Sequence, residues 1–174
     1  MKRHVALVGF MGAGKSTIGR KLARELGCAF FDTDDLIVRA HGTIPEIFSR
    51  EGEDAFRRYE REAIGQVLST GDAGVVALGG GALTLAENRA FVKECAHRVF
   101  LRSSPEQILR RLRRSRERRP LLGAHPTLAQ IRELYGTRMA HYADADYIVA
   151  AERLSDRAIL DEILQWLSEK KIAL

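Results

Sequence analysis

Gly9-Phe10-Met11-Gly12-Ala13-Gly14-Lys15-Ser16, followed by Thr17, is the stretch on which the reading of this 174-residue chain turns. It has the form G-x-x-x-x-G-K-[ST], which chance would supply in roughly one chain in two hundred of this length. The residue types have a mechanical reason. Glycines let backbone N–H groups close around a polyphosphate where a side chain would block the approach. A helix beginning at Lys15 would turn its positive end toward the same anion. Lys15 is expected to reach the outer phosphates and Ser16 to hold Mg²⁺. Gly12, Ala13, Gly14, Lys15, Ser16 and Thr17 are therefore the expected nucleotide-binding set.

Working outward, Val5–Val8 is an apolar run ending in glycine, as a buried parallel strand should be. Lys15–Leu26 carries Ile18, Leu22 and Leu26 at helical spacing and stops at Gly27. Further strands are predicted at Ala29–Phe31, Val75–Leu78, Arg98–Leu101 and Tyr147–Val149. Helices are predicted at Asp35–Ala40, Pro45–Leu68 with a break near Gly52, and Leu85–Cys95. Three more are predicted at Pro105–Arg116, Leu128–Tyr142 and Asp156–Lys170, with Pro120–Pro126 a loop. Alternation of this kind predicts an α/β, three-layer fold: a central five-stranded parallel sheet with helices on both faces. No repeat or linker divides the chain, so residues 1–174 read as one domain. In such sheets ligands bind beyond the carboxyl ends of the strands, where the glycine-rich and acidic segments of this chain fall.

Composition narrows the partners. A net charge of +5 and 22 arginines against six lysines favour acidic ligands held by geometric, bidentate contacts. No apolar stretch is long enough to cross a bilayer, and Met1-Lys2-Arg3-His4 does not begin a signal peptide. Cys28 and Cys95 form neither a disulfide framework nor a metal cluster, so a cytoplasmic protein with reduced thiols is expected.

Two classes of phosphate-loop protein can be set aside. The chain has a single asparagine, Asn88, followed by Arg89, so it lacks the Asn-Lys-x-Asp signature of guanine recognition. The strand Val75–Leu78 ends in Gly79-Gly80-Gly81, not in the metal-holding aspartate of many ATPases. The acidic residues follow the second strand instead, as Asp32 and Asp34. Two apart in an extended segment, they would face the phosphate loop together. One carboxylate near Mg²⁺ and one near a hydroxyl is the minimum set for phosphoryl transfer to an alcohol. A helix cap at Asp34 or Asp35 would account for one aspartate but not for Asp32, Asp34 and Asp35 together.

Several segments, in order, resemble the shikimate kinase family, small P-loop kinases built like nucleoside monophosphate kinases. They are Gly9–Thr17, Phe31-Asp32-Thr33-Asp34, Gly52-Glu53 with Phe56-Arg57-Arg58-x-Glu60, Leu78–Gly81, Arg119-Pro120-Leu121-Leu122 and Arg138-x-x-x-Tyr142. The resemblance implies a transfer of the ATP γ-phosphoryl to the 3-hydroxyl of shikimate, giving shikimate 3-phosphate and ADP on the route to chorismate. It implies Lys15, Asp34 and Arg119 as catalytic groups and Asp32 with Ser16 around the metal. It places Arg57, Arg138 and the backbone of Gly79, Gly80 and Gly81 about the shikimate carboxylate, and Asp34 at the ring hydroxyls. An arginine beside adenine would be Arg111, with Arg113 the alternative. Residues 33–62 would form the substrate-binding region and 117–127 a lid, with Arg119 shared between nucleotide and lid. Against these roles stand plain structural ones: an exposed Arg57–Glu60 ion pair, and surface positions for Arg138 and Tyr142.

The run from Arg110 to Arg119, seven arginines in ten residues, has the charge to grip a nucleic acid but no interleaved aromatic residues. A solvated helix beside a lid accounts for it, and neither nucleic acid nor membrane is an expected partner. A ligand sensor that had lost catalysis should lack Lys15, Asp32, Asp34 or Arg119, and all are present. A kinase for gluconate or a nucleoside monophosphate is disfavoured by the resemblance alone. The expected working form is a monomer with shikimate and MgATP.

Overall fold

The structure, a computed structural model, describes residues 3–115 and 120–174. Its first strand, β1 (His4–Val8), is buried at every position, so its alternating side chains feed two cores. Val5 and Leu7 join one, Ala6 and Val8 the other. After β1 come α1 (Lys15–Leu26), β2 (Ala29–Asp32), α2 (Thr33–His41), α3 (Ile44–Leu68) and β3 (Gly74–Ala77). A 3-10 turn (Ala82–Thr84), α4 (Ala86–Cys95), β4 (Ala96–Arg102) and α5 (Pro105–Arg114) follow. The chain closes with α6 (Leu128–Ala143), β5 (Tyr147–Ala150) and α7 (Asp156–Glu169).

The five strands are parallel, in the order β2-β3-β1-β4-β5. On one face α1 and α7 bring Ile18, Leu22, Ile159 and Ile163 against Val5, Leu7, Val75 and Val99. On the other, Ile64, Val92, Ile108 and Ile131, from α3 to α6, cover Ala6, Val8, Val76 and Phe100. A third, small cluster of Ile37, Ile47, Phe56 and Ala63 welds α2 to α3. Gly19 of α1 allows close helix-to-strand packing, since a Cβ there would lie 2.4 Å from the Phe30 ring.

The predicted architecture is present, with shifted boundaries. α2 begins at Thr33, because Asp32, not Asp34 or Asp35, is its N-cap, its carboxylate accepting the N–H groups of Asp34 and Asp35. Asp34 is therefore helical, and the extended geometry expected for residues 32–34 does not occur. α3 is a kinked pair of helices hinged at Gly52, whose φ of 82° admits the bend. No helix among the described residues is long and apolar enough to cross a membrane.

Candidate active site

The phosphate loop spans the gap between β1 and α1. Gly12 and Gly14 adopt φ values of 75° and 99°, left-handed conformations that a side chain resists, and Gly14 is the N-cap of α1. No side chain caps this helix and no acidic residue lies in its first turn, leaving its positive end available to an anion. Lys15, buried, donates from Nζ to the carbonyls of Gly9 and Phe10 at 2.9 and 3.0 Å. A cavity of about 460 Å³ opens over the loop, with Lys15, Ser16, Thr17, Asp32, Asp34 and Arg111 in its wall.

Ser16 Oγ donates to Asp32 Oδ2 at 2.5 Å, at the carboxyl end of β2. A hydroxyl and a carboxylate are the hard oxygen donors that Mg²⁺ takes alongside phosphate and water, so this pair fits the expected ion. The buried hydroxyl of Thr33, between the two aspartates, accepts the Gly79 N–H at 3.0 Å and ties the tip of β2 to the tip of β3.

A smaller cavity of about 50 Å³ adjoins the first, walled by Phe48, Phe56, Arg57, Glu60, Leu121 and Arg138 among others. Asp34, Met11 and Gly80 line both cavities. Close approach accounts for the triple glycine, most firmly at Gly80, whose neighbour is backbone. None of the three has a positive φ, but each meets a different neighbour where a Cβ would stand. At Gly79 that atom would lie 2.7 Å from Asp34 Oδ1 and from Glu60 Oε1; at Gly80, 2.8 Å from Met11 N; at Gly81, 2.2 Å from Arg57 Nη1. Gly80 and Gly81 line the smaller cavity, while Gly79 packs against the two carboxylates behind it.

Two guanidinium groups reach this cavity from different helices. Arg57, on α3, donates to Glu60 at 2.8 Å and to Glu53 at 2.9 Å, and its charge lies over the Phe56 ring. The Arg57–Glu60 ion pair expected on the surface thus exists but is buried, with the Glu60 side chain 1% exposed. Burial pushes the Glu60 carboxyl up while Arg57 opposes the shift. Arg138, on α6, is 3% exposed, lies over the Phe10 ring and donates to the Gly80 carbonyl at 3.1 Å. Tyr142, one turn later, is also buried and donates its hydroxyl to the same carbonyl. Burial pushes the Tyr142 hydroxyl up to about 12, so it stays a donor across ordinary pH. The surface positions considered for Arg138 and Tyr142 are ruled out.

Arg111 lies in the wall of the larger cavity, whereas Arg113 is exposed and faces a different hollow. Arg119 lies outside the described residues, as does the first part of the expected lid. Of the rest of that segment, Leu121 borders the smaller cavity and Leu122 is buried in the core. Sequence reasoning gives Glu60 no role beyond pairing with Arg57, and Thr33 none at all. A glutamate one helical turn after Arg57, and a threonine held between two aspartates, are the signals that could have found them.

A phosphate loop facing a carboxylate, with a small pocket of buried guanidinium groups beyond it, defines a P-loop kinase of a small anionic molecule. Comparison with known proteins agrees: the sequence model of the family described as shikimate kinase matches residues 11–168. The chain belongs to the shikimate kinase family, whose members are ATP-dependent kinases. It is 44% identical to the shikimate kinase of Geobacter sulfurreducens over 96% of this chain and 92% of that one. It is 38% identical to that of Symbiobacterium thermophilum over 96% and 97%. A solved structure of shikimate kinase from Acinetobacter baumannii in complex with shikimate superposes with a TM-score of 0.91 at 37% identity, covering 99% of this chain and 96% of that one. A sugar kinase from Janibacter, 19% identical with a TM-score of 0.62 and covering 100% and 99%, shares the fold.

Proposed function

We propose that this chain transfers the γ-phosphoryl group of ATP to the 3-hydroxyl of shikimate, yielding shikimate 3-phosphate and ADP for chorismate and aromatic amino acid synthesis. The observation that carries the reading is the position of Asp34, in the wall shared by the nucleotide-sized cavity and the guanidinium-lined one. A carboxylate there can accept a proton from a hydroxyl presented to the terminal phosphate. The hydroxyl oxygen forms a bond to the γ-phosphorus, the bond from that phosphorus to the β,γ-bridging oxygen breaks, and the proton passes to Asp34.

The remaining residues position and neutralise. Gly12, Ala13, Gly14, Lys15, Ser16 and Thr17 would hold the phosphates, with Lys15 balancing charge on the transferring group. Ser16 and Asp32 would hold Mg²⁺, which when bound would supply positive charge toward the phosphates. Arg57 and Arg138 would clamp the substrate carboxylate, with Gly79, Gly80 and Gly81 giving room for close approach. Glu60 would hold Arg57 in place. Arg119 would serve as the lid arginine, and Arg111 would lie beside the adenine. By the family resemblance, residues 33–62 and 117–127 would move against the core as the substrates bind. A cytoplasmic monomer is the expected working form.

A coupled ADP-release assay with MgATP, comparing shikimate, gluconate and AMP as acceptors, tests this directly. Turnover on shikimate alone is expected. Turnover on either of the others would overturn the clamp, and binding of shikimate without turnover on any of them would make the chain a sensor.

A further inference from the structure

The carbonyls of the phosphate loop raise a question that the anion does not answer. For its N–H groups to point inward at a phosphate, the carbonyls must point outward, and each then needs a donor. Gly9 and Phe10 receive theirs from Lys15 within the loop. Gly12 and Ala13 receive theirs from outside it. Arg111 Nη1, on α5 and nearly a hundred residues away, donates to Gly12 O at 3.1 Å and to Ala13 O at 2.7 Å. The same helix packs the open side of the loop: a Cβ at Gly12 would lie 3.3 Å from Leu112, and one at Gly14 3.5 Å from Arg111 Nη1.

Among the described residues Arg111 forms no ion pair, although Asp156 shares the cavity wall. Its half-buried charge is therefore held chiefly by backbone carbonyls at the cavity wall, with Asp156 a more distant counter-charge. A lone base-stacking residue would need neither feature. A flat guanidinium can present its face to a ring while the two N–H groups of Nη1 donate to both carbonyls. A lysine ammonium has donors enough but a shorter reach and no flat face.

We infer that Arg111 is a positioning residue for the phosphate loop, fixing the Gly12 and Ala13 peptides so that the loop N–H groups converge on the nucleotide phosphates. This rests on the nucleotide reading of the loop given above, and its effect falls at the phosphate end whatever the base does.

The test uses Arg111→Ala and Arg111→Lys in the full chain, with thermal melting to confirm folding. Two readouts are taken: kcat at saturating ATP, and the ³¹P resonance of the β-phosphate of bound MgADP. A residue that only stacks on adenine contributes uniform binding, so its loss raises KM for ATP and leaves kcat unchanged. A loop brace sets the geometry of the reacting phosphate, so its loss should lower kcat about tenfold and move the β-phosphate resonance. Arg111→Lys should recover only part of the loss, since an ammonium keeps the charge on a side chain one atom shorter, which falls short of the two carbonyls. Unchanged kcat with an unmoved resonance would overturn the inference, as would full activity in Arg111→Lys. Should Arg111→Ala fail to fold, Arg111→Lys carries both readouts. If the wild-type chain does not turn over shikimate, the proposed reaction fails, and the MgADP resonance still decides the brace.

Discussion

The two ends of the site are made in different ways. At the phosphate end the residues are mostly adjacent: nine consecutive ones supply glycines with left-handed backbone, an uncapped helix terminus, Lys15 and Ser16, with Arg111 of α5 reaching the loop carbonyls from afar. At the clamp end the site is assembled. Asp34 comes from α2, Arg57 and Glu60 from α3, Gly80 and Gly81 from beyond β3, and Arg138 with Tyr142 from α6. The first end needs the right backbone, the second the right neighbours. A backbone nest can be disturbed by one badly placed Cβ, whereas a clamp of buried charges fails when one partner leaves another unpaired.

That contrast can be broken first at the carboxylate common to both ends. Asp34→Asn should lower kcat by at least about 10²-fold by removing the proton acceptor, with melting little changed. Turnover within a few-fold of wild type would remove Asp34 from the mechanism. The clamp comes next. Arg138→Ala should raise KM for shikimate by roughly 10²-fold, the range for truncating one partner of a buried charge-assisted hydrogen bond, with KM for ATP nearly constant. Arg57→Ala should do likewise and also lower the melting temperature, because it strands the buried Glu60. Equal losses for shikimate and ATP in either variant would show that the clamp is misassigned.

Gly80→Ala sharpens the comparison by acting on both ends at once. Its methyl would press on Met11 N of the phosphate loop, so the KM values for shikimate and ATP should rise together, with about 1–3 kcal/mol of stability lost. A change confined to one substrate would mean that the two ends relax independently.

The smallest effect lies far from either end. His4 Nδ1 accepts the Gly74 N–H at 3.2 Å, and burial lowers the His4 pKa below its ordinary value. Its contribution is therefore present above the unfolded pKa of about 6.5 and is lost as pH falls toward the depressed folded value. Denaturant titrations at pH 7.5 and 5.5 should show less than about 1 kcal/mol of extra loss relative to His4→Asn, whose amide oxygen can accept the same hydrogen bond. An equal loss in both proteins would assign the pH dependence to other groups.

The same contrast sets how much of the molecule is legible in its sequence. The phosphate loop, the five strands and the break near Gly52 are legible because each is written in adjacent residues: a motif, an apolar run, a lone glycine in a helical pattern. The proposed clamp is not legible in that way. Nothing local distinguishes Arg57 from Arg58, or marks Arg138 as buried; resemblance to the family picks out Arg57 and Arg138, and only the structure shows the burial. Asp32 and Asp34 do stand together in the wall of the larger cavity, but a helix cap and not an extended segment turns them there. Gly79–Gly81 is legible as a feature and not as a cause, because its reason lies in Asp34, Glu60, Met11 and Arg57, all remote in sequence.

The register of the sheet carries one more consequence. Asp32 pairs with Ala77, and Ala77 with Leu7, so the acidic tip, the glycine corner and the phosphate loop leave the sheet from one transverse row. Their spacing is then two interstrand steps, about 10 Å in all, and a hydrogen-bonded ladder cannot be stretched to suit a new ligand. On the proposed function, changes in the helices around the smaller cavity can alter which alcohol is taken, but the gap between donor and acceptor is a gauge cut into the core. Variants selected for a new substrate should therefore accumulate changes in α2, α3 and α6 and leave β1, β2 and β3 untouched.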